Sequence, residues 1–233
     1  MDKTANLNIP FPIVETNYRS RVKNELTALK YTHRKTHRHH AEMALIEQAI
    51  SFIPITNPVL DIPCGAGRVA ILLARKGYKA IGADLSKPMI DIARDQIRSS
   101  NIDCAVQSQD IEKMSFQNNE FGVSICFRFF HHLPDAEIRR HVIGELCRVS
   151  RNYVLISYLS PASYTMLKRR MRVVFGGKKS YQFATPLSEL EKYFSEQGFE
   201  LTKDFAQMPF FHTLHLAIFK RAVPNPTRIE SGR

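Results

Sequence analysis

Apolar stretches of strand length alternate with amphipathic stretches of helical length between residues 58 and 157. Strands are predicted over 58–62, 79–83, 102–107, 121–127 and 153–157. Helices are predicted between them over 68–76, 87–99 and 135–149. Strands that alternate with helices in this order build a parallel sheet with crossover helices, so this half of the chain predicts a doubly wound α/β unit.

The pattern changes in the last quarter of the chain. A helix is predicted over 186–197, with Thr185 as its N-cap. Two strand-like stretches follow, over 199–207 and 211–219, and a Met-Pro turn between them favours an antiparallel hairpin. We therefore expect a single doubly wound domain with a mostly parallel, seven-stranded sheet and an antiparallel C-terminal hairpin at one edge.

Composition limits the class of protein. The chain has 233 residues, 44% of them hydrophobic and 24% charged, which is typical of a globular domain. No apolar run approaches the ~20 residues that a membrane helix needs, and the N-terminus lacks a signal-peptide pattern. The four cysteines are far apart and form no Cys-x-x-Cys pair, which argues against a zinc site or a disulfide framework. We expect a cytoplasmic protein with reduced, buried thiols and no bound metal.

Charge is distributed unevenly. The net charge of +11 favours an anionic partner or surface. Residues 18–40 contain seven Lys or Arg against one Glu, and residues 164–181 contain six against no acid. His33, His37 and His40 share one helical face, but no Cys or acid accompanies them, so a solvated basic face is favoured over a metal site.

The second basic segment is amphipathic. Its apolar side chains fall along one helical stripe, formed by Leu167, Met171, Val174 and Phe175. Such a helix could cover a pocket as a lid, lie on an anionic lipid surface, or track nucleic-acid phosphates. The lid is the preferred interpretation.

Two acidic residues lie at the ends of consecutive predicted strands. The first strand runs into Asp61-Ile62-Pro63-Cys64-Gly65-Ala66-Gly67-Arg68, where the glycines let the chain bend tightly and present backbone amides. Asp61 can accept hydrogen bonds from a ligand ammonium group. Asp84 ends the next strand, where a carboxylate can hold both hydroxyls of a ribose. The spacing differs from the Gly-x-Gly-x-x-Gly of dinucleotide binders, so the two acids indicate a nucleoside site and disfavour an NAD enzyme.

This stretch resembles motif I and the following acidic loop of class I S-adenosylmethionine-dependent methyltransferases, particularly the small-molecule family called type 11. The resemblance covers roughly residues 57–157. It implies a Rossmann-like domain that uses S-adenosylmethionine and releases S-adenosylhomocysteine. The residues implied to contact the cofactor are Asp61, Pro63, Gly65, Gly67, Arg68, Asp84, Leu85, Asp110, Ile111, Phe127 and Arg128.

The family resemblance also implies a role for most of these residues. The turn after the first strand would line the methionine part, and Asp84 would hold the ribose. Leu85 would pack on the adenine, whose edge Asp110 and Ile111 would meet, while Arg128 would lie beside the sulfonium. Asp110 could equally be a helix cap. Pro63 stands where most members carry a glycine and lacks its amide donor.

The resemblance and the patterns together predict a domain layout. One methyltransferase domain is expected over residues 1–220. Its parts are an N-terminal helical cap over 18–50, a cofactor-binding core over 57–157, a basic insertion or lid over 158–185, and a C-terminal helix and hairpin over 186–220, followed by a tail over 221–233.

His131 and His132 follow the fourth predicted strand and are the candidates for a general base, because an imidazole titrates near neutrality. Tyr158 and Tyr164 are further candidates. Methyl transfer from a sulfonium needs no base when the nucleophile is already free, since positioning and desolvation can suffice. A packed, structural histidine is therefore favoured over a catalytic one.

The leading functional hypothesis is methyl transfer to O, N or C of a small-molecule acceptor, which the basic insertion would suit if the acceptor were anionic or lipid-linked. The second is an RNA or protein methyltransferase that uses the basic surface. The third is a non-catalytic binding or membrane-surface protein on the same fold. The sequence leaves the acceptor, the acceptor atom and the oligomeric state open.

Overall fold

In the computed structural model the described residues are 36–54, 57–163, 182–206 and 213–222, with Lys168, Met171 and Phe175 in addition. The helices of this part are α1 (Thr36–Ile50), α2 (Arg68–Arg75), α3 (Lys87–Ser99), α4 (Ala136–Val149) and α5 (Leu187–Ser195). The strands are β1 (Val59–Asp61), β2 (Ala80–Asp84), β3 (Ala105–Ser108), β4 (Phe121–Cys126), β5 (Ser150–Leu159), β6 (Phe199–Ala206) and β7 (Leu214–Arg221).

The seven strands form one sheet in the order β3-β2-β1-β4-β5-β7-β6. The strands β1 to β5 pair in parallel, and β7 pairs antiparallel with both β5 and β6. The prediction of a mostly parallel, seven-stranded sheet with an antiparallel hairpin at one edge is confirmed.

Helices cover both faces of the sheet. On one face, α4 and α5 bury Leu146, Leu190 and Phe194 against the central strands. On the other face, α1 and α2 pack in a second cluster that contains Ile46 and Leu73. The strands are therefore buried on both sides, which explains why β4 consists entirely of buried residues.

The fifth strand is longer than predicted. It runs from Ser150 to Leu159: Ser150 pairs with Phe121 of β4, and β7 pairs with the rest, from Tyr153 with Lys220 to Leu159 with Leu214. The strand therefore extends two residues into the segment predicted as the basic insertion. This extension is set by a partner more than fifty residues away, which local apolar patterning does not reveal.

The N-cap predicted for α5 is wrong. The helix begins after Pro186 and has no side-chain cap. The Thr185 hydroxyl instead accepts a hydrogen bond from Arg139 Nη1 at 3.3 Å, and the same guanidinium donates to Glu189 at 2.8 Å. Arg139 lies in α4, so a tertiary contact takes the hydroxyl away from the helix terminus.

Several predicted features lie outside the described residues. These are the N-terminal part of the cap over 18–35, the Met208-Pro209 turn, residues 223–233 of the tail and most of the basic insertion. Of the predicted apolar stripe, Met171 and Phe175 are described, and their side chains are 48% and 79% exposed. The structure therefore does not show these two side chains buried, as a lid would bury them.

The described part of the chain has no helix long and apolar enough to cross a membrane. All four cysteines are free thiols, and only Cys104 among them is not fully buried. Within the same described ranges, no three metal-ligating side chains come together.

Candidate cofactor site

The candidate site lies where β1, β2 and β4 end. Asp61 is the last residue of β1 and pairs with Gly82 of β2 on one side and Ile125 of β4 on the other. The chain continues from β1 to β2 in one direction and reaches β4 only after β3, so the order of strands reverses here. A crevice at such a reversal is where doubly wound sheets bind ligands.

Asp61 is almost completely buried, at 1% exposure. Its Oδ2 accepts a hydrogen bond from Ala70 N at 3.0 Å, whereas Oδ1 has no hydrogen-bond partner among the described residues. Burial raises the pKa of the Asp61 carboxyl to about 8, against the lowering effect of the Ala70 amide, and the nearby Asp84 raises it further. An unsatisfied carboxylate oxygen in such a place favours a cationic ligand group.

The turn after β1 depends on two glycines. Gly65 and Gly67 have φ values of 56° and 78°, in the left-handed region that side chains rarely adopt. A Cβ on Gly67 would lie 3.1 Å from Cβ of Ala93 in α3, so the turn also packs tightly against a helix. The peptide between Ile62 and Pro63 is cis.

Asp84 connects this turn to the next loop. Its Oδ2 accepts a hydrogen bond from Gly65 N and its Oδ1 accepts one from Ser86 N, both at 2.8 Å. The adjacent Leu85 side chain is 44% exposed, although it is large and apolar. The structure therefore brings Asp61, Asp84 and the glycine turn together, with an open apolar side chain beside them.

In the loop after β3, Asp110 was predicted either to meet the adenine edge or to cap a helix. Asp110 Oδ1 accepts a hydrogen bond from Glu112 N at 3.0 Å, so it stabilises a turn, and no helix of the described residues begins there. Ile111 is buried in the core with Met114 and Phe116. The backbone of this loop, more than the Ile111 side chain, is what a ligand could meet.

The segment after β4 meets α1. Phe127 packs into the cluster that contains α1. Arg128 has a left-handed φ of 63°, and its backbone N donates to Ser157 Oγ at 2.6 Å. The Arg128 guanidinium pairs with Glu42 of α1, with 3.4 Å between Nε and Oε1.

Glu42 is the residue of this region that sequence reasoning missed. It is 1% exposed, and its Oε2 also accepts a hydrogen bond from Arg68 Nη2 at 3.1 Å. The sequence contains a signal for a buried Glu42, because the apolar residues Leu45 and Ile46 lie three and four positions after it on the same helical face. The structure buries both of them. An acidic residue on the buried face of a helix indicates a charged partner.

The candidate bases differ in their surroundings. His131 lies in a short 3-10 helix, is 1% exposed, and has its ring 4.3 Å from that of His132. Tyr158 donates a hydrogen bond to Asp204 at 3.0 Å, and burial and this carboxylate raise the pKa of the phenol well above its usual value. A phenol held in its neutral form by an acidic acceptor is a poor general base. Tyr164 lies outside the described residues.

Residues 59–152 match the family model described as a methyltransferase domain. This part of the chain is therefore similar to methyltransferase domains. The family uses S-adenosylmethionine, and the residues present fit that cofactor: an orphaned, buried carboxylate oxygen suits its ammonium group, and a second carboxylate one strand away suits its ribose.

Curated relatives match over a limited stretch. A ubiquinone biosynthesis O-methyltransferase of Coxiella burnetii is 32% identical over 79 residues, which is 34% of each chain. Methyltransferase GfsG of Streptomyces halstedii is 33% identical over 98 residues, 41% of this chain and 34% of its own. The match thus covers about a third of the length of these relatives.

Solved structures share the fold over a larger part of the chain. The magnesium protoporphyrin IX methyltransferase ChlM of Synechocystis PCC 6803, crystallised with S-adenosylhomocysteine, superposes with a TM-score of 0.70 over 79% of this chain and 84% of its own, at 16% identity. The CcbJ methyltransferase of Streptomyces caelestis superposes with a TM-score of 0.68 over 90% of this chain and 99% of its own, also at 16% identity. At such identity the likeness establishes the architecture.

Proposed function

We propose that this protein transfers the methyl group of S-adenosylmethionine to O, N or C of a small-molecule acceptor. The observation that carries the proposal is the pair Asp61 and Asp84 at the ends of adjacent strands, joined through the glycine turn by the 2.8 Å hydrogen bond from Gly65 N to Asp84. One carboxylate would receive an ammonium group and the other the hydroxyls of a ribose, the two features of an amino acid linked to a nucleoside.

The site would work mainly by positioning. The cofactor supplies an electrophilic methyl group on a sulfonium. Asp61 would hold the ammonium end and Asp84 the ribose hydroxyls, while Gly65 and Gly67 let the backbone approach the methionine part. Leu85 would cover one face of the adenine, and the loop at Asp110 and Ile111 would meet its edge.

The remaining contacts come from the turn and the segment after β4. Pro63, Arg68 and Arg128 would flank the methionine part, and Phe127 would border its sulfonium end. His131 and His132 would face the acceptor and take up its proton only if the nucleophile is protonated when it binds.

The small-molecule acceptor is supported by the relatives. One is named for ubiquinone biosynthesis, and one structural neighbour is named for magnesium protoporphyrin IX. The exposed side chains of Met171 and Phe175, with Lys168 exposed nearby, favour an apolar or lipid-linked acceptor that carries negative charge. The net charge of +11 is the observation that favours the alternative, an RNA acceptor.

Transfer of a labelled methyl group distinguishes these acceptors. The protein is incubated with methyl-labelled S-adenosylmethionine and a cell extract that has been separated into small-molecule, RNA and protein fractions. We expect label in the small-molecule fraction, enriched in its solvent-extractable part, and none with the Asp84→Asn variant. Label in RNA or protein would contradict the proposed acceptor class, and no transfer to any fraction would contradict the enzymatic function.

A further inference from the structure

Two guanidinium groups meet one buried carboxylate beside the candidate cofactor site. Glu42 contacts Arg68 Nη2 through Oε2 at 3.1 Å and Arg128 Nε through Oε1 at 3.4 Å. The arginine side chains are 19% and 12% exposed, and that of Glu42 is 1% exposed. His39, one turn earlier in α1, contacts Arg68 as well, with 3.1 Å between Nδ1 and Nη1.

The three side chains come from three elements that border the end of β1. Arg68 is the first residue of α2 and directly follows the glycine turn. Arg128 follows β4, which pairs with β1 at Asp61. Glu42 belongs to α1, which otherwise contacts the sheet through apolar residues. The cluster therefore ties α1 to both segments that surround the proposed position of the methionine part.

Stability alone does not explain this arrangement. Burying a carboxylate costs desolvation energy that its ion pairs offset only in part, and apolar side chains of similar volume would serve a packing role as well. A guanidinium, however, carries five N–H donors in a planar fork and can bind two carboxylates at once. Fixing one edge of the fork on Glu42 determines where the other edge points.

We propose that Glu42 is a positioning residue for the amino-acid end of the cofactor. It holds Arg68 and Arg128 so that they receive the carboxylate of the methionine part, while Asp61 receives the ammonium group. This inference rests on the proposed function, because it assumes that S-adenosylmethionine binds here. It also gives α1 a part in cofactor binding, through the two arginines.

Net charge and positioning predict opposite effects for one substitution. Glu42 and the two arginines together carry a formal charge of +1, and Glu42→Gln raises it to +2. If attraction alone held the cofactor carboxylate, this variant would bind it more tightly. If Glu42 positions the arginines, the variant binds it more weakly even though the site has become more positive.

Two ligands that differ only at the amino-acid end provide the test. S-adenosylhomocysteine carries the ammonium and carboxylate groups, whereas 5′-methylthioadenosine has the same nucleoside without them. We expect Glu42→Gln to weaken S-adenosylhomocysteine binding about tenfold, as for the loss of a charged hydrogen bond, while 5′-methylthioadenosine binding changes less than about twofold. Both affinities are measured by calorimetric titration of the full chain.

A matched control lies on the same helix. Glu47 is 45% exposed and pairs with Lys76 at 3.0 Å, so Glu47→Gln makes the same chemical change at a surface ion pair and should leave both affinities unchanged. Glu42→Asp keeps the charge but withdraws the carboxylate by one methylene, and it is the variant to use if Glu42→Gln does not fold. We expect it to weaken S-adenosylhomocysteine binding selectively, but less than Glu42→Gln.

The outcomes separate the inference from the function on which it rests. An equal loss for both ligands in Glu42→Gln, or unchanged or tighter S-adenosylhomocysteine binding, would overturn the positioning role. A wild-type protein that binds neither ligand would overturn the proposed cofactor site itself, and the role of Glu42 with it.

Discussion

Asp61 combines two properties that rarely occur together in a carboxylic acid. It is almost completely buried, and one of its oxygens has no hydrogen-bond partner among the described residues. Desolvation of the charged form is the main cause that raises the pKa of its carboxyl to about 8. Without a ligand, Asp61 is therefore largely protonated at neutral pH, and a bound ammonium group would favour its ionised form.

This raised pKa makes the stability of the protein depend on pH. Below the ordinary carboxyl pKa, near 4, Asp61 is protonated in both the folded and unfolded states and carries no penalty. As the pH rises towards 8, the unfolded state loses its proton first, so folding stability falls. An asparagine side chain does not titrate in this pH range, and Asp61→Asn keeps an oxygen that can accept the hydrogen bond from Ala70 N.

We therefore expect Asp61→Asn to be more stable than the wild type at pH 8, by on the order of a few kcal/mol, with the difference vanishing near pH 4. Urea unfolding of both proteins from pH 4 to pH 9 measures it. A stability difference that does not change with pH would contradict the assignment. The same substitution should weaken S-adenosylhomocysteine binding, since the ammonium group loses its counter-charge.

At the scale of elements, the turn between β1 and α2 positions the site. Gly67 stands at the N-terminus of α2 with φ of 78°, and its missing side chain leaves room for Ala93 of α3. Strain and packing therefore act at the same position. A residue with a Cβ would have to move either the turn or α3.

Two glycine substitutions separate this special position from an ordinary helical one. Gly67→Ala should destabilise the protein by about 1–3 kcal/mol, because the left-handed conformation and the close contact with Ala93 both oppose a methyl group. Gly144→Ala lies in α4 with nothing within 4 Å of the added Cβ, and should stabilise by about 0.5–1 kcal/mol. Denaturant unfolding compares them, and equal effects would contradict the account of the turn.

The elements that the sequence predicted well are those whose signals are local. A short apolar run that ends in Asp61 and a glycine turn fixes β1 and the start of α2 without reference to the rest of the chain. The cap of α5 was predicted wrongly because Arg139, 46 residues away, bonds Thr185. Likewise, the role of Glu42 appears only once α1 is packed against the sheet.

The whole molecule places these elements around one crevice. The order β3-β2-β1-β4 puts Asp61 and Asp84 on adjacent strands, and α1 reaches the same crevice from outside the segment that matches the family model. The described N-terminal helix and the segment that matches the family model thus border one crevice, which we propose as the cofactor site. The acceptor would approach from the side of β4 and β5, where the segment that carries Met171 and Phe175 begins.

The central claim is that this crevice binds S-adenosylmethionine through Asp84, and calorimetric titration with S-adenosylhomocysteine tests it most directly. Asp91→Asn is the matched control, because Asp91 lies in α3, is 48% exposed and pairs with Lys87 at the surface. We predict measurable affinity in the wild type and in Asp91→Asn, and a loss of about tenfold or more in Asp84→Asn, which replaces a charged acceptor by a neutral one. Equal affinity in Asp84→Asn, or no binding to the wild type, would contradict the account.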